Sequence, residues 1–245
     1  LIVGNNVLAQ VPDINDFVAG FARLLKPHGI ATFEFPHLLR MVIENQFDTV
    51  YHEHYSYLSL ATVDHVFTAN GLEVFDVEEL PTHGGSLRVF ARRADTGEHE
   101  ISSRVAALMA RENRAGMGGD DFYAGFQVQA EKVKNDFLEF LLRAKRAGKT
   151  VAAYGAAAKG NTLLNFAGIR PDLLPYVADK NPVKQGKFLP GSRIPIVAEE
   201  NLRTRRPDYI VILPWNIKAE IMDQLAYAGQ WGARFVTAVP ELHVK

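Results

Sequence analysis

The densest group of chemically competent side chains in the sequence is Tyr51–Tyr57, which reads YHEHYSY. A histidine next to a carboxylate is a competent general base near neutral pH, and tyrosine hydroxyls can donate to a developing enolate. In an extended segment, His52 and His54 would lie on one face and Glu53 on the other. The segment therefore predicts proton-transfer chemistry. A zinc site at the two histidines and a polar loop with hydrogen-bonded histidines are the alternatives.

A glycine-rich segment, Gly155–Thr162 (GAAAKGNT), follows the apolar residues Thr150–Tyr154 and opens a helical pattern. Such a turn directs free backbone N–H groups and the positive end of a helix towards one point, where a phosphate can bind. Gly155 permits the tight turn, Gly160 permits close approach, and Lys159 adds a positive charge. The segment predicts an anion or nucleotide site. The alternative is an alanine-rich helix start packed on a sheet, with Lys159 in solvent.

Further polar residues extend this predicted nucleotide site. Asp179 lies 24 residues after Gly155, at the end of the next predicted strand. In dinucleotide folds an acidic residue near that spacing contacts a ribose. Trp215 and Asn216 follow a predicted strand, at the edge where open α/β sheets bind ligands, although either could instead cover the core. The candidate binding residues of this part are Gly155, Lys159, Gly160, Asn161, Thr162, Asp179, Trp215 and Asn216.

A third polar segment, Thr82–Arg88 (THGGSLR), joins two predicted strands. Its composition is typical of a turn. Two interpretations stay open at this point. The segment is either a hairpin turn followed by a polar strand start, or it contributes His83, Ser86 and Arg88 to a pocket near the YHEHYSY segment.

Hydrophobic periodicity predicts the elements that position these residues. Asp13 can cap a helix that Pro27 and Gly29 end, and the segment 37–60 is irregular. After Gly148, strands alternate with helices, which predicts a parallel sheet with right-handed crossovers. The predicted strands are 1–5, 29–35, 72–80, 86–93, 150–154, 176–179, 194–197, 208–213 and 234–238. The predicted helices are 13–26, 61–70, 99–115, 120–147 and 199–203, with one more after each of residues 162 and 216.

The composition limits the class of protein. Of the 245 residues, 47% are hydrophobic and 22% are charged, which is typical of a chain that folds around a core. The net charge of −1 argues against a nucleic-acid partner, since such proteins carry a basic excess. There is no cysteine, so neither a disulfide nor a thiolate metal site forms within the chain. The lack of cysteine fits a cytoplasmic location. No apolar run is long enough to span a membrane, so we expect no membrane partner.

Five segments together resemble motifs of the S-adenosylmethionine-dependent C-methyltransferases of deoxysugar biosynthesis. They occur in the family's order, and the match they define extends over nearly the whole chain. Five linked motifs are far more specific than any one of them. The five are Asn5–Asp13 (NNVLAQVPD), Tyr51–Tyr57, Thr82–Arg88, Tyr154–Thr162 and Asp179–Gly186.

This resemblance implies an α/β fold in three parts. Residues 1–97 would form the C-terminal half of a class I methyltransferase sheet, with the hairpin at 72–93 as its two antiparallel edge strands. Residues 98–147 would be a helical connector, and 148–245 a Rossmann-like domain that helps to hold a dTDP-sugar. The sequence starts on an apolar LIV without methionine. We therefore expect the S-adenosylmethionine glycine loop and a zinc-binding domain before residue 1.

The resemblance also implies roles for individual residues. His54 would be the base that removes the proton at C3 of the sugar, which the ketone at C4 acidifies. Glu53 and Tyr51 would orient the base or bind the substrate, and Asn6 would contact the methyl donor or the substrate. The enolate would then attack the sulfonium methyl group. The family often has histidine where this chain has Gln10, and glutamine can hydrogen-bond but cannot titrate.

Two other classes of function stay open. The chain could be a nucleotide-sugar-binding module without catalysis, because much of the methyl-donor site is expected outside it. It could also be an NAD-dependent oxidoreductase, to which the glycine-rich segment and Asp179 point. The absence of a GxGxxG motif argues against the oxidoreductase.

Overall fold

The computed structural model describes the whole chain, Leu1–Lys245, which divides into two compact units. The first unit comprises Leu1–Glu44 and His52–Phe126, and the second comprises Asn45–Tyr51 and Gln127–Lys245. The short segment Asn45–Tyr51 therefore packs with the C-terminal residues, although both of its neighbours in sequence belong to the first unit. The predicted connector is divided between the two units. The domain boundaries predicted at residues 97 and 147 stay a prediction.

The first unit contains a four-stranded mixed sheet with helices. The strand order is β1-β2-β4-β3; β1 and β2 are parallel, and β4 is antiparallel to both of its neighbours. The α/β class predicted for this part is confirmed. The elements are β1 (Ile2–Asn5), α1 (Ile14–Leu24), β2 (Ile30–Pro36), α2 (Leu38–Ile43), α3 (Leu60–Ala69), β3 (Leu72–Leu80), β4 (Ser86–Arg93), α4 (Ser103–Ala115) and α5 (Asp121–Ala124), with 3-10 turns at Leu8–Gln10 and Thr82–Gly84.

Local chemistry explains several of these elements. The Asp13 side chain accepts a hydrogen bond from the Asp16 N–H at 3.0 Å, so it caps α1 as predicted. The core beneath the sheet includes an aromatic contact between Phe33 and Phe67, both fully buried. Two details of the predictions are wrong. The segment after Pro36 forms α2, a helix of six residues that is too short to show periodicity. Of the two hairpin strands only β3 lies at an edge of the sheet, because β4 lies between β2 and β3.

The second unit contains a six-stranded sheet in the order β10-β9-β8-β5-β6-β7. The predicted parallel arrangement is confirmed for five strands, and β10 adds to one edge in the antiparallel direction. The elements are a 3-10 turn at Phe47–Thr49, α6 (Phe126–Arg146), β5 (Val151–Tyr154), α7 (Ala158–Phe166), β6 (Val177–Ala178), β7 (Ile196–Val197), α8 (Glu200–Arg205), β8 (Tyr209–Ile212), a 3-10 turn at Trp215–Ile217, α9 (Lys218–Gln224), a 3-10 turn at Ala226–Trp231, β9 (Arg234–Thr237) and β10 (His243–Val244).

No helix of the structure has both the length and the apolar composition needed to cross a membrane.

Gly160 lets α7 pack closely on the end of β8. A Cβ atom at this position would lie 2.5 Å from the Cβ of Leu213. At this distance the two residues cannot both keep their positions. We expect Gly160→Ala to lower the free energy of unfolding by about 1–3 kcal/mol, because the helix must move off the sheet. Urea unfolding followed by tryptophan fluorescence measures this, since Trp215 and Trp231 both belong to the second unit.

The matched control for this change is Gly229→Ala. Gly229 also lies in the second unit, and no heavy atom lies within 4 Å of a Cβ built on it. Its substitution should shift the unfolding free energy by no more than about 0.5 kcal/mol. Equal effects of the two substitutions would contradict the packing role of Gly160.

Candidate functional site

In the first unit, the predicted site residues gather at the carboxyl ends of β1 and β2. Because these two strands are parallel, their carboxyl ends lie at the same edge of the sheet. Asn6 follows β1 in the left-handed conformation, with φ of 55°, a backbone geometry that asparagine adopts more readily than most residues. Its N–H donates to the backbone carbonyl of Glu34 at 2.7 Å. The candidate residue Asn6 is thereby fixed at the edge where open α/β sheets bind ligands.

A buried carboxylate, Glu34 on β2, organises this edge. One of its oxygens accepts from the Thr82 hydroxyl at 2.8 Å, and the other from the Arg88 guanidinium at 2.8 Å. Burial alone would raise the pKa of Glu34. The two hydrogen bonds, together with the positive charges of Arg88 and His83, outweigh burial and lower the pKa. The carboxylate therefore stays ionised and holds Arg88 in one position.

Sequence reasoning missed Glu34. The available signal was a single carboxylate inside an otherwise apolar strand, IATFEFP. A charge at such a position must be paired when the strand is buried. Its partners, Thr82 and Arg88, lie 48 and 54 residues further along the chain, a pairing that periodicity does not reveal.

The Thr82–Arg88 segment is a turn followed by a strand, and its three candidate residues take different positions. His83 is exposed in the 3-10 turn, with φ of 56°. Ser86 is buried, donates to the backbone carbonyl of Thr82 at 3.1 Å, and lines a cavity of about 610 Å³. Arg88 reaches Glu34 instead. The segment is therefore a hairpin turn, and only Ser86 of the three candidates lines this cavity, which has no residue of Tyr51–Tyr57 in its wall.

The His54 segment attaches to the loop that follows β1. The N–H groups of Tyr55 and Ser56 both donate to the carbonyl of Ala9, at 2.8 and 3.2 Å. His54 is half-buried, and its ring lies edge-on to that of Tyr57, with 6.1 Å between centroids. The predicted base thus lies beside the loop, residues 6–10, that carries two other candidate positions.

The residues around His54 do not form an extended strand. Residues 51–53 form a turn, so the expected alternation of His52 and His54 against Glu53 is wrong. His52 and Glu53 are exposed, and Tyr51 is half-buried and belongs to the second unit. The zinc alternative gains no support, since no three histidine, aspartate or glutamate side chains come together in a group able to hold a metal ion.

In the second unit, the glycine-rich segment has the geometry of a tight turn after β5. Gly155 has φ of 87°, and a Cβ on it would lie 2.6 Å from the ring of Pro214, so only glycine fits there. Helix α7 starts immediately afterwards. Its N-cap, Ala157, offers no side-chain acceptor to the first N–H groups of the helix. The predicted arrangement of a tight turn and a helix start after a buried strand is confirmed.

Asp179, at the end of β6, ties two loops together. Its carboxylate accepts from the Ala156 N–H at 2.7 Å and from the Asn181 N–H at 2.8 Å. The Lys184 ammonium donates to the carbonyl of Ala156 at 2.8 Å and lies 3.4 Å from the carboxylate. The contact of Asp179 with a ribose stays a prediction. A ribose hydroxyl would have to share an oxygen that already accepts a backbone N–H.

Lys159 and Trp215 come together, but inside the protein. Lys159 is only 8% exposed, and its ammonium lies 4.7 Å from the centroid of the Trp215 ring. The Trp215 indole N–H donates to Asp48 at 2.7 Å, and Asp48 is completely buried. The alternative in which Lys159 extends into solvent is therefore wrong. Asp48 was missed, because nothing in the sequence links it to residues more than 100 positions later.

The charges of this cluster influence each other. Burial raises the pKa of Asp48 to about 6, against the hydrogen bond from Trp215 and the charge of Lys159, which lower it. Burial also lowers the pKa of Lys159, against the charge of Asp48, which raises it. Each charge thus compensates part of the cost of burying the other.

The remaining candidates also lie near the carboxyl edge of the second sheet. Asn161 and Thr162 are half-buried on α7, and the Thr162 hydroxyl donates to the carbonyl of Ala158 at 3.3 Å. The Oδ1 atom of Asn161 is buried and accepts no hydrogen bond. Asn216 is half-buried in the turn after β8.

Two comparisons with known proteins identify the family to which this chain is similar. Residues 81–240 match the model of a family described as the C-methyltransferase C-terminal domain. The protein named C-methyltransferase NovU, from Streptomyces niveus, is 38% identical over 244 residues. That alignment takes in 100% of this chain and 58% of the relative, so the chain spans less than two thirds of the length of the relative.

Proposed function

The chain belongs to the family of C-methyltransferase C-terminal domains, and from that premise we propose that it is the C-terminal part of an enzyme that methylates a carbon atom of a nucleotide-linked keto-deoxysugar. The observation that carries the chemistry is the placement of His54. Its segment is hydrogen-bonded to the loop after β1, at the carboxyl edge that also holds Asn6 and Glu34. A base at that edge is what carbon methylation requires, because a sugar carbon is no nucleophile until it loses a proton.

We infer that His54 removes the proton at C3, which the neighbouring C4 ketone makes acidic. The negative charge then develops on the ketone oxygen, where a donor hydroxyl such as that of Tyr51 would stabilise it. Glu53 and Tyr51 are assigned to orienting the base or the sugar. His54 is half-buried, which limits water at the base without excluding a substrate.

S-adenosylmethionine is the methyl donor that this proposal requires, and it would supply an electrophilic methyl group. Asn6 is the side chain of this chain that fits such a ligand. It is half-buried in a fixed left-handed conformation at the carboxyl end of β1. The rest of the donor site is assigned to the part of the protein that corresponds to the other 42% of the relative, the complement of its aligned 58%.

The second unit would hold the nucleotide, which we take to be a dTDP group. The N–H groups of Gly155, Ala156 and Ala157 are already bonded within the protein, but the start of α7 has no side-chain cap, so the N–H groups of its first turn lie at the carboxyl edge of the sheet. Such groups favour a phosphate. Asn161, Thr162, Asp179 and Asn216 are the polar residues assigned to this ligand.

Methyl transfer by the full-length gene product tests the proposal. The enzyme is incubated with a dTDP-linked 4-keto-deoxysugar and S-adenosylmethionine whose methyl group carries ¹³C. Nuclear magnetic resonance should show the label on C3 of the sugar. Label on an oxygen atom, or the absence of transfer to any keto-sugar by the folded enzyme, would contradict the proposal.

Nucleotide binding is a separate prediction that the 245-residue chain itself can test. Calorimetric titration should show dTDP binding, and thymidine should bind at least about tenfold more weakly, since it lacks the phosphates that the turn and helix start would hold. Equal affinity for dTDP and thymidine would show that the Gly155–Thr162 segment does not bind the phosphates.

A further inference from the structure

The segment Asn45–Tyr51 is attached to the second unit at three points. The Asn45 amide donates to the carbonyl of Gln129 at 3.0 Å. The ring of Phe47 packs on that of Phe166, with 5.3 Å between centroids. Asp48 accepts the indole N–H of Trp215. Residues 46–49 are all buried, which is unusual for a polar stretch between two parts of another unit.

The third attachment differs from the other two because it involves charged side chains that are buried. Asp48 is 0% exposed, and its Oδ2 atom accepts the indole N–H of Trp215 at 2.7 Å. Lys159 supplies the positive charge and lies over the Trp215 ring. A buried charge that loses its partner is strongly destabilising, so the three side chains depend on each other.

Asp48 is close in sequence to the residues assigned to proton transfer. Tyr51 follows three residues later and ends the anchored segment, and His54 follows six residues later in the first unit. The turn at 51–53 joins them. Because so few residues separate them, backbone motion at Asp48 would also increase the motion of the residues assigned to proton transfer.

We propose that Asp48 is a positioning residue: its buried hydrogen bond with Trp215 and the attraction of the buried Lys159 charge, which lies over the Trp215 ring, anchor Asn45–Tyr51 on the second unit and thereby order Tyr51–His54. The part of this inference that concerns proton transfer rests on the proposed function. It also changes the role of Lys159 within the glycine-rich segment. The positive charge of the ammonium stabilises the Asp48 carboxylate, and phosphate binding is left to the backbone N–H groups.

A double-mutant cycle in the full-length gene product measures the anchor without reference to activity. Asp48→Asn, Lys159→Met and the double variant are unfolded in urea and followed by circular dichroism. Each single change should raise the unfolding equilibrium constant by roughly 100-fold, because it removes the opposite charge near a buried one. The unfolding equilibrium constant of the double variant should be at least about tenfold smaller than the value obtained by multiplying the two single effects.

An exposed ion pair in the same unit provides the matched control. Lys132 and Asp136 are 2.6 Å apart on the surface of α6. The cycle of Lys132→Met and Asp136→Asn should show a coupling of only about twofold, as is typical of such pairs. If the coupling between Asp48→Asn and Lys159→Met is no larger than the coupling in this control, the two residues act independently and the proposed anchor is wrong.

Two further readouts separate positioning from mere stability. Under conditions where Asp48→Asn remains folded, backbone amide exchange at Tyr51–His54 should become roughly tenfold or more faster, whether or not the enzyme methylates a sugar. The kcat of methyl transfer should fall roughly 10- to 100-fold, with little change in KM. Unchanged exchange at these amides would overturn the ordering role. Faster exchange in a protein whose wild type transfers no methyl group would support the ordering role and reject the proposed function alone.

Discussion

Replacing Glu112 with alanine should lower the free energy of unfolding of the first unit by about 3–5 kcal/mol, one of the largest single-residue effects in the chain. Glu112 lies on α4 and is 1% exposed. Its carboxylate accepts from the ring of His37 at 2.8 Å and from the N–H groups of Leu60 and Ala61 at 2.7 and 3.0 Å. Alanine would deprive the His37 ring and the N–H groups of Leu60 and Ala61 of this acceptor, and only the Ser59 side chain would remain to cap α3.

The measurement must report on the first unit, and tryptophan fluorescence does not, because both tryptophans lie in the second. Hydrogen exchange of the α3 and β3 amides is the suitable probe. Asn113→Ala is the control, since Asn113 is the exposed neighbour on the same helix and should change the unfolding free energy by no more than about 0.5 kcal/mol. A loss below 1 kcal/mol for Glu112→Ala would show that water replaces the carboxylate at little cost.

The same residue should make stability depend on pH. Burial alone would raise the pKa of Glu112, but the hydrogen bonds from His37, Leu60 and Ala61 outweigh it and lower the pKa below the ordinary value of 4.5. A depressed pKa contributes stability that is present above the unfolded value and is lost as pH falls through the folded value. Exchange protection in the first unit should therefore weaken below about pH 4.5, and less so in Glu112→Gln.

How far the sequence predicts the fold depends on whether the signal is local. The strands 72–80 and 86–93 were predicted with the bounds that the structure has, because alternation and a glycine-rich turn both lie within a few residues. The helix α2 and the strand β10 were missed, since six and two residues carry no periodicity. Tertiary contacts alone hold such short elements in place.

The candidate sites show the same limit more clearly. The tight turn at Gly155 could be predicted because a strand, glycine and helix follow each other directly. The burial of Lys159 could not, because its partner Asp48 lies 111 positions earlier and belongs to a segment that joins the second unit. Likewise, the bond between Trp215 and Asp48 spans 167 positions. Charges that are paired over such distances look like surface residues in a sequence.

The last prediction concerns the base itself. In the full-length gene product, His54→Asn should lower the rate of methyl transfer by roughly 100- to 10,000-fold, the usual contribution of a general base. Asparagine is close to histidine in shape and polarity, so that the segment hydrogen-bonded to Ala9 should keep its place. His52→Asn is the control, because His52 is exposed in the neighbouring turn and should leave the rate within a few-fold of wild type.

Proton exchange distinguishes a missing base from a disturbed site. In D₂O, with the keto-sugar and without methyl donor, the wild-type enzyme should replace the C3 proton by deuterium, and His54→Asn should not. If the variant still exchanges this proton at more than roughly one tenth of the wild-type rate, a different group is the base. Lost methyl transfer with retained exchange would instead mean that His54 acts after proton removal, by holding the enolate where the methyl group can reach it.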